Sequence, residues 1–187
     1  MPLAKKIEKR YTYADYVTWP DDERWEIIDG IAYNISPAPR IKHQDITGKF
    51  FSRLEQKLTG KPSCRPFIAP TDVVFSENDI VQPDILVVCE KNKITEANIQ
   101  GAPDLIVKVI SPSTAIKDKR EKMNLYEKHK VREYIIIYPM EEYTESFILG
   151  EDGAYNKGKV FGPKEVLSLE SLQGIEIPLC DVFGVEE

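Results

Sequence analysis

Glu26, Asp72, Asp84, Lys108 and Lys122 are the residues whose type and setting could do chemistry. Asp84 opens an apolar run in I-V-Q-P-D-I-L-V-V-C, and Lys108 lies inside the next one, between Leu105, Ile106, Val107 and Val109, Ile110. A strand covered on both faces reads as a continuous β-branched run. A charge buried in such a strand costs several kcal/mol unless it is paired. Lys108 therefore needs a route to solvent or an anionic partner, and Asp84, on what should be a neighbouring strand, is the candidate. Asp118, Lys122 and Tyr126 recur at i, i+4 and i+8, which puts them on one face of a helix. That helix starts just beyond the end of the Lys108 strand, where α/β sheets place their sites. Closely placed carboxylates with a lysine suit metal-dependent phosphodiester hydrolysis. The acids hold Mg²⁺ (or Mn²⁺) with several waters attached, the metal activates the attacking water, and the lysine positions that water or stabilises developing charge. Plainer accounts exist for each residue. An Asp after Gln82-Pro83 shapes a turn, a strand Lys faces solvent, and an i,i+4 acid–base pair decorates an exposed helix face.

The elements that must position these residues follow in order. Thr12-x-x-Asp15 has the form of a capping box and opens a short helix to about Thr18. W-E-I-I-D-G-I-A-Y-N-I alternates around Asp29-Gly30, an antiparallel hairpin with Glu26 on its first strand. Pro37 and Pro39 end the second strand. A helix spans about Ile41 to Thr59, with Ile46, Phe50, Leu54 and Leu58 as its apolar stripe. His43 lies in its first turn and reads as a surface residue. Arg40, Lys42, Lys49, Arg53, Lys57 and Lys61 make the polar side positive. From Cys64 the chain reads as a meander: C-R-P-F-I-A-P, D-V-V-F-S, a turn at Asn78-Asp79, then V-Q-P-D-I-L-V-V-C as one strand. The strand Leu105 to Ile110 comes next, with Ser111 to Thr114 capping a helix to about Lys130. Y-I-I-I-Y is a further core strand, followed by a Gly-rich hairpin and a closing edge segment, I-E-I-P-L-C-D-V-F. Helices flanking a mixed sheet place the fold in the α/β (α+β) class.

A chain of 187 residues fits one domain, since domains run ~100–200 residues. Residues 1–10 read as a loose tail and 11–187 as the domain. The formal charge of −6 and pI near 5.2 argue against non-specific coating of nucleic acid. Cys64, Cys89 and Cys180 lack C-x-x-C spacing and read as reduced thiols of a cytoplasmic protein. No apolar run approaches the ~20 residues of a membrane span.

Several segments together resemble the large bacterial restriction-endonuclease-like family with the PD-(D/E)XK fold. They are R-W-E-I-I-D-G, S-P-A-P-x-x-x-H-Q, V-Q-P-D-I-L-V-V, G-A-P-D-L-I-V-K-V-I-S-P-S-T, D-x-x-x-K-x-x-x-Y and V-R-E-Y-I-I-I, and they cover about residues 11–183. The resemblance implies a mixed β-sheet core flanked by helices, a metal-dependent DNA-cleaving site using Mg²⁺ or Mn²⁺, and DNA as partner. Pro83-Asp84 matches the first acidic motif, Glu26 an early acid, Lys122 a lysine moved from strand to helix, and Tyr126 the tyrosine one helical turn beyond it. Asp72, Asp118 and His43 take supporting places. Two positions depart from the pattern. Lys108 stands where the family carries a metal-binding Glu, and Tyr138 where it has Asp before Pro. At ~4 Å and an effective dielectric near 20, one unit charge pair is worth ~4 kcal/mol, so the first departure weakens Mg²⁺ binding strongly. Three readings stay open: a nuclease with a working or impaired metal site, an inactive nuclease-fold module that binds nucleic acid or regulates, and a folded protein without a nucleic-acid role. Double-strand cleavage is commonly done by paired sites, which leaves a homodimer open.

Overall fold

The computed structural model describes residues 9–20, 22–35, 40–60, 63–111 and 118–186. The expected breaks at Pro37 and Pro39, the charge at Lys61, and Pro112, Ser113 and Thr114 of the expected cap lie outside those residues. In chain order the elements are α1 (Tyr13–Tyr16), β1 (Trp25–Ile28), β2 (Ile31–Asn34), α2 (Ile41–Leu58), β3 (Arg65–Ile68), β4 (Val73–Ser76), β5 (Asp79–Val81), β6 (Ile85–Val88), β7 (Ile99–Gln100) and β8 (Leu105–Val109). After them come a π-helical turn (Asp118–Lys122), α3 (Met123–Lys128), β9 (Glu133–Tyr138), β10 (Tyr143–Ile148), β11 (Lys159–Phe161), β12 (Val166–Leu169), β13 (Ile175–Pro178) and α4 (Leu179–Phe183).

The strands form a mixed six-stranded sheet in the order β11-β10-β9-β8-β6-β3, a five-stranded sheet in the order β2-β1-β5-β4-β7, and the ribbon β12-β13. β8 and β9 are parallel, while β6 pairs antiparallel with both β8 and β3. Period-two alternation assigns the two faces of the six-stranded sheet. Ile85, Val87, Leu105, Val107, Val109, Ile135 and Ile137 pack under the α2 stripe (Ile46, Phe50, Leu54, Leu58) and the β12-β13 ribbon. Leu86, Val88, Ile106, Ile110, Tyr134 and Ile136 turn the other way, towards Ile28, Val73, Val81 and Ile99 of the five-stranded sheet and Tyr126 of α3. Both faces are thus covered, as the continuous apolar runs require.

Four sequence expectations are corrected. V-Q-P-D-I-L-V-V-C is two strands in different sheets, because Gln82, Pro83 and Asp84 carry the chain from β5 across to β6. Asp79 belongs to β5 and not to the turn. The closing segment is β13 followed by α4: after Pro178 the apolar residues Leu179, Val182 and Phe183 fall at helical spacing and are buried. Cys64 and Cys89 are not free thiols but a disulfide. Arg65 pairs with Val88, and extending that register by one residue sets the two cysteines opposite each other. Their separation of 25 residues hid a cross-strand contact.

Candidate functional site

The site forms where the chain crosses between the two large sheets. β6 and β8 pair with Ile85 opposite Val107, so continuing the antiparallel register by one residue puts Asp84 opposite Lys108. Both side chains fall on the face turned towards the five-stranded sheet. The Lys108 Nζ lies 2.9 Å from Asp84 Oδ2, and the Val109 backbone N–H donates to the same oxygen at 2.8 Å. His43, reaching in from the first turn of α2, brings its Nε2 to 3.5 Å from that oxygen. The expectation that His43 lies on the surface is therefore corrected: its side chain is 14% exposed and aimed at Asp84. Its backbone carbonyl accepts a 2.7 Å bond from the Thr47 hydroxyl, one helical turn on.

Across the gap, Glu26 on β1 is fully buried, on the strand face it shares with Ile28. Its Oε1 accepts from Lys122 Nζ at 2.5 Å and from the Gln82 backbone N–H at 3.0 Å. Lys122 is also buried. One crossover thus fixes both acids, since Gln82 holds Glu26 and Asp84, two residues later, meets Lys108. Burial pushes both carboxyls up. At Asp84 the Lys108 charge and hydrogen bonds from His43 and Lys108 outweigh burial and hold the group well below the usual carboxylate range. At Glu26 the same outcome comes from the Lys122 charge and hydrogen bond, the Gln82 N–H and the Lys108 charge. Lys108 therefore acts on both acids.

The other sequence candidates lie around this core. Asp72 accepts from the Tyr16 hydroxyl at 2.9 Å and from Gln82 Nε2 at 2.8 Å, so it braces Gln82 and reaches Glu26 through it. Asp118 starts the helical run, but its side chain lies outside the described atoms. The run begins as a π-helical turn, so Asp118 and Lys122 are not one α-helical step apart, as the spacing had suggested. Tyr126 is buried, with ring centroids 5.9 Å from Phe75 and 4.8 Å from Tyr134. Tyr138 donates to Glu145 at 2.8 Å and stacks on Tyr143. The positive side of α2 is partly neutralised by Lys42–Glu142, Lys49–Asp45 and Arg53–Asp181. Sequence reasoning gave no role to Gln82, although its place before Pro83-Asp84 was the available signal. It also missed a second cluster, in which buried Asp79 accepts from Lys128, meets His129 Nε2 at 2.8 Å and so ties α3 to β5.

The donor set does not fit a divalent ion. Mg²⁺ asks for octahedral oxygen ligands. Among the described residues, no three His, Cys, Asp or Glu side chains converge in a way that could hold a metal. Asp84 Oδ2 already meets two cationic side chains or potential cations and an N–H, and Glu26 Oε1 meets an ammonium and an N–H. Among the described residues Glu26 Oε2 is buried without a hydrogen-bond partner, but an ion there would lie close to two ammonium groups.

Residues 13–180 match the model of the Uma2 family, described as "Putative restriction endonuclease". The chain belongs to the Uma2 family. It is also similar in structure to a protein described as a putative nuclease of DUF820 from Anabaena variabilis ATCC 29413, with a TM-score of 0.76 at 19% identity over 92% of this chain and 97% of that one. At that identity the likeness carries the fold. No curated protein matches. Among the described residues no helix is long and apolar enough to cross a membrane.

Proposed function

We propose that this Uma2 chain is a DNA-directed, cytoplasmic protein of the endonuclease fold, acting through residues 11–187 as one domain, whose metal-dependent phosphodiester hydrolysis is impaired. The observation that carries this reading is the Lys108–Asp84 pair at 2.9 Å. The resemblance puts an anionic metal ligand at residue 108. This chain supplies an ammonium there, and the ammonium spends itself on the acid that would be the other principal ligand. Family membership supports the nucleic-acid substrate, and the position of Glu26, Asp84 and Lys122 around the sheet crossover supports the PD-(D/E)XK assignment. A second reading, a non-catalytic module that binds nucleic acid, is favoured by the internal donors already engaged on Asp84 Oδ2 and Glu26 Oε1.

The test is conversion of supercoiled plasmid to nicked and linear DNA with Mg²⁺ or Mn²⁺, comparing the protein with its Lys108→Glu variant. Little or no cleavage by the protein and a clear gain in the variant are expected. Cleavage that is strong in the protein and lost in the variant would overturn the reading and give Lys108 a positive role in hydrolysis.

A further inference from the structure

The mismatch between the site and a divalent ion points to what the site can take instead. Among the described residues each acid has a lysine beside it: Lys108 meets Asp84, and Lys122 meets Glu26. Asp84 Oδ2 and Glu26 Oε1 are turned onto internal donors, and Glu26 Oε2 is buried close to ammonium groups, so the site offers little to an incoming cation. To an incoming anion it offers more. Lys108 and His43, the cluster's cation and potential cation nearest Asp84, retain some exposure, at 15% and 14%, while Lys122 is 4% exposed. An ammonium carries three N–H donors on a flexible four-carbon stem, so it can hold one acid and still engage a second acceptor. Further cations flank the cluster along the chain. Lys42 precedes His43, and Lys119 and Arg120 lie in the turn that ends at Lys122. Lys42 and Lys119 are 43% and 49% exposed in pairs with Glu142 and Glu145. The Lys42–Glu142 pair is exposed on both sides, and pairs of this kind are worth about 0–1 kcal/mol, so Lys42 can be redirected to a ligand at little cost.

We infer that the cluster is an anion site that takes a DNA phosphodiester directly and without a divalent cation, Lys108 supplying the charge that a metal would otherwise bring. This rests on the reading of the chain as DNA-directed. Lys108 holds the phosphate from below, and Lys42, Lys119 and Arg120 follow the backbone on either side. Phosphate contacts of this kind position the duplex without reading its sequence.

Fluorescence anisotropy with a labelled random-sequence duplex tests this on the full chain at low salt, first in EDTA and then with added Mg²⁺. The protein is expected to bind in EDTA and to bind more weakly as Mg²⁺ is added, since Mg²⁺ competes for the phosphates. Lys108→Met should weaken binding by about tenfold and flatten the dependence of log K on log salt by about one phosphate contact. Because Lys108→Met leaves Asp84 uncompensated, the double variant Asp84→Asn/Lys108→Met, checked for an intact thermal transition, should show the same loss. Binding that tightens with Mg²⁺ overturns the inference and restores a metal site. Binding in EDTA that is equal in all three proteins also overturns it, while the DNA reading survives. No DNA binding under any condition removes the DNA reading and the inference with it.

Discussion

Lys108 sits among β-branched residues and is stabilised there by one carboxylate across the strand pair, at 2.9 Å. Lys108→Glu should therefore lower stability without metal, because the new carboxylate would face Asp84, left with only His43 and the Val109 N–H, and would stand near Glu26. The same variant gains the donor set the parent lacks. Added Mg²⁺ should recover its stability, by ~2.7 kcal/mol at a hundredfold excess over Kd, which is several degrees in Tm for a chain of this size. The parent should show no Mg²⁺-induced shift. Thermal melts of both proteins with and without Mg²⁺ check this, and equal shifts would count against it. The Glu26–Lys122 pair makes a separate prediction. Both side chains are nearly without solvent contact, so Glu26→Gln should cost about 3–5 kcal/mol by leaving a buried ammonium uncompensated. Glu26→Gln/Lys122→Met should cost less than the sum of the single changes, read as the coupling in a double-mutant cycle from urea unfolding.

At the scale of elements, α2 is the lever that holds His43 over Asp84. Its stripe of Ile46, Phe50, Leu54 and Leu58 is buried against β6, β8 and β9. Leu54→Ala should cost ~2–5 kcal/mol, whereas Ile41→Ala, at a position 86% exposed, should change stability by less than ~0.5 kcal/mol. Urea titrations give both values, and similar costs would mean that the stripe does not anchor the helix. This stripe was legible because period 3.6 survives in a helix packed on one side. So were the strand that carries Lys108 and the core residues Ile85, Leu86, Val87, Leu105, Val107, Val109, Ile135 and Ile137, all of them fully buried. The pairing of Asp84 with Lys108 could be anticipated because a buried charge demands a partner. What stayed hidden depends on which sheet a strand joins. V-Q-P-D-I-L-V-V-C has the pattern of one strand, and only long-range pairing divides it between two sheets. The Cys64–Cys89 bond and the approach of His43 to Asp84 depend on that same division, and local sequence carries no record of it.

At the scale of the whole molecule, the three buried carboxylates held below their ordinary range, Asp84, Glu26 and Asp79, lie where elements from different parts of the chain meet. Asp84 joins β6, β8 and α2. Glu26 joins the five-stranded sheet to the helix before β9, and Asp79 ties α3 to β5. Each is depressed because neighbouring cations and N–H donors outweigh the cost of burial. The sign follows from linkage. A carboxyl with a folded pKa below its unfolded value contributes stability that is fully present above the unfolded value, near ~3.9 for Asp and ~4.3 for Glu, and is lost as the pH falls through that value towards the folded one. Protonation at these positions removes the charges that tie these elements together. The molecule should therefore lose stability steeply below about pH 4 and unfold cooperatively, with both sheets lost together. Asp84→Asn should begin less stable at neutral pH, because Lys108 loses its partner. Between about pH 5 and pH 3 it should lose less further stability than the parent, since one depressed carboxyl is gone. Asp79→Asn should behave in the same way. Urea unfolding at a series of pH values, followed by far-UV circular dichroism and tryptophan fluorescence, measures the slope. A slope unchanged in both variants would place the acid sensitivity elsewhere in the molecule.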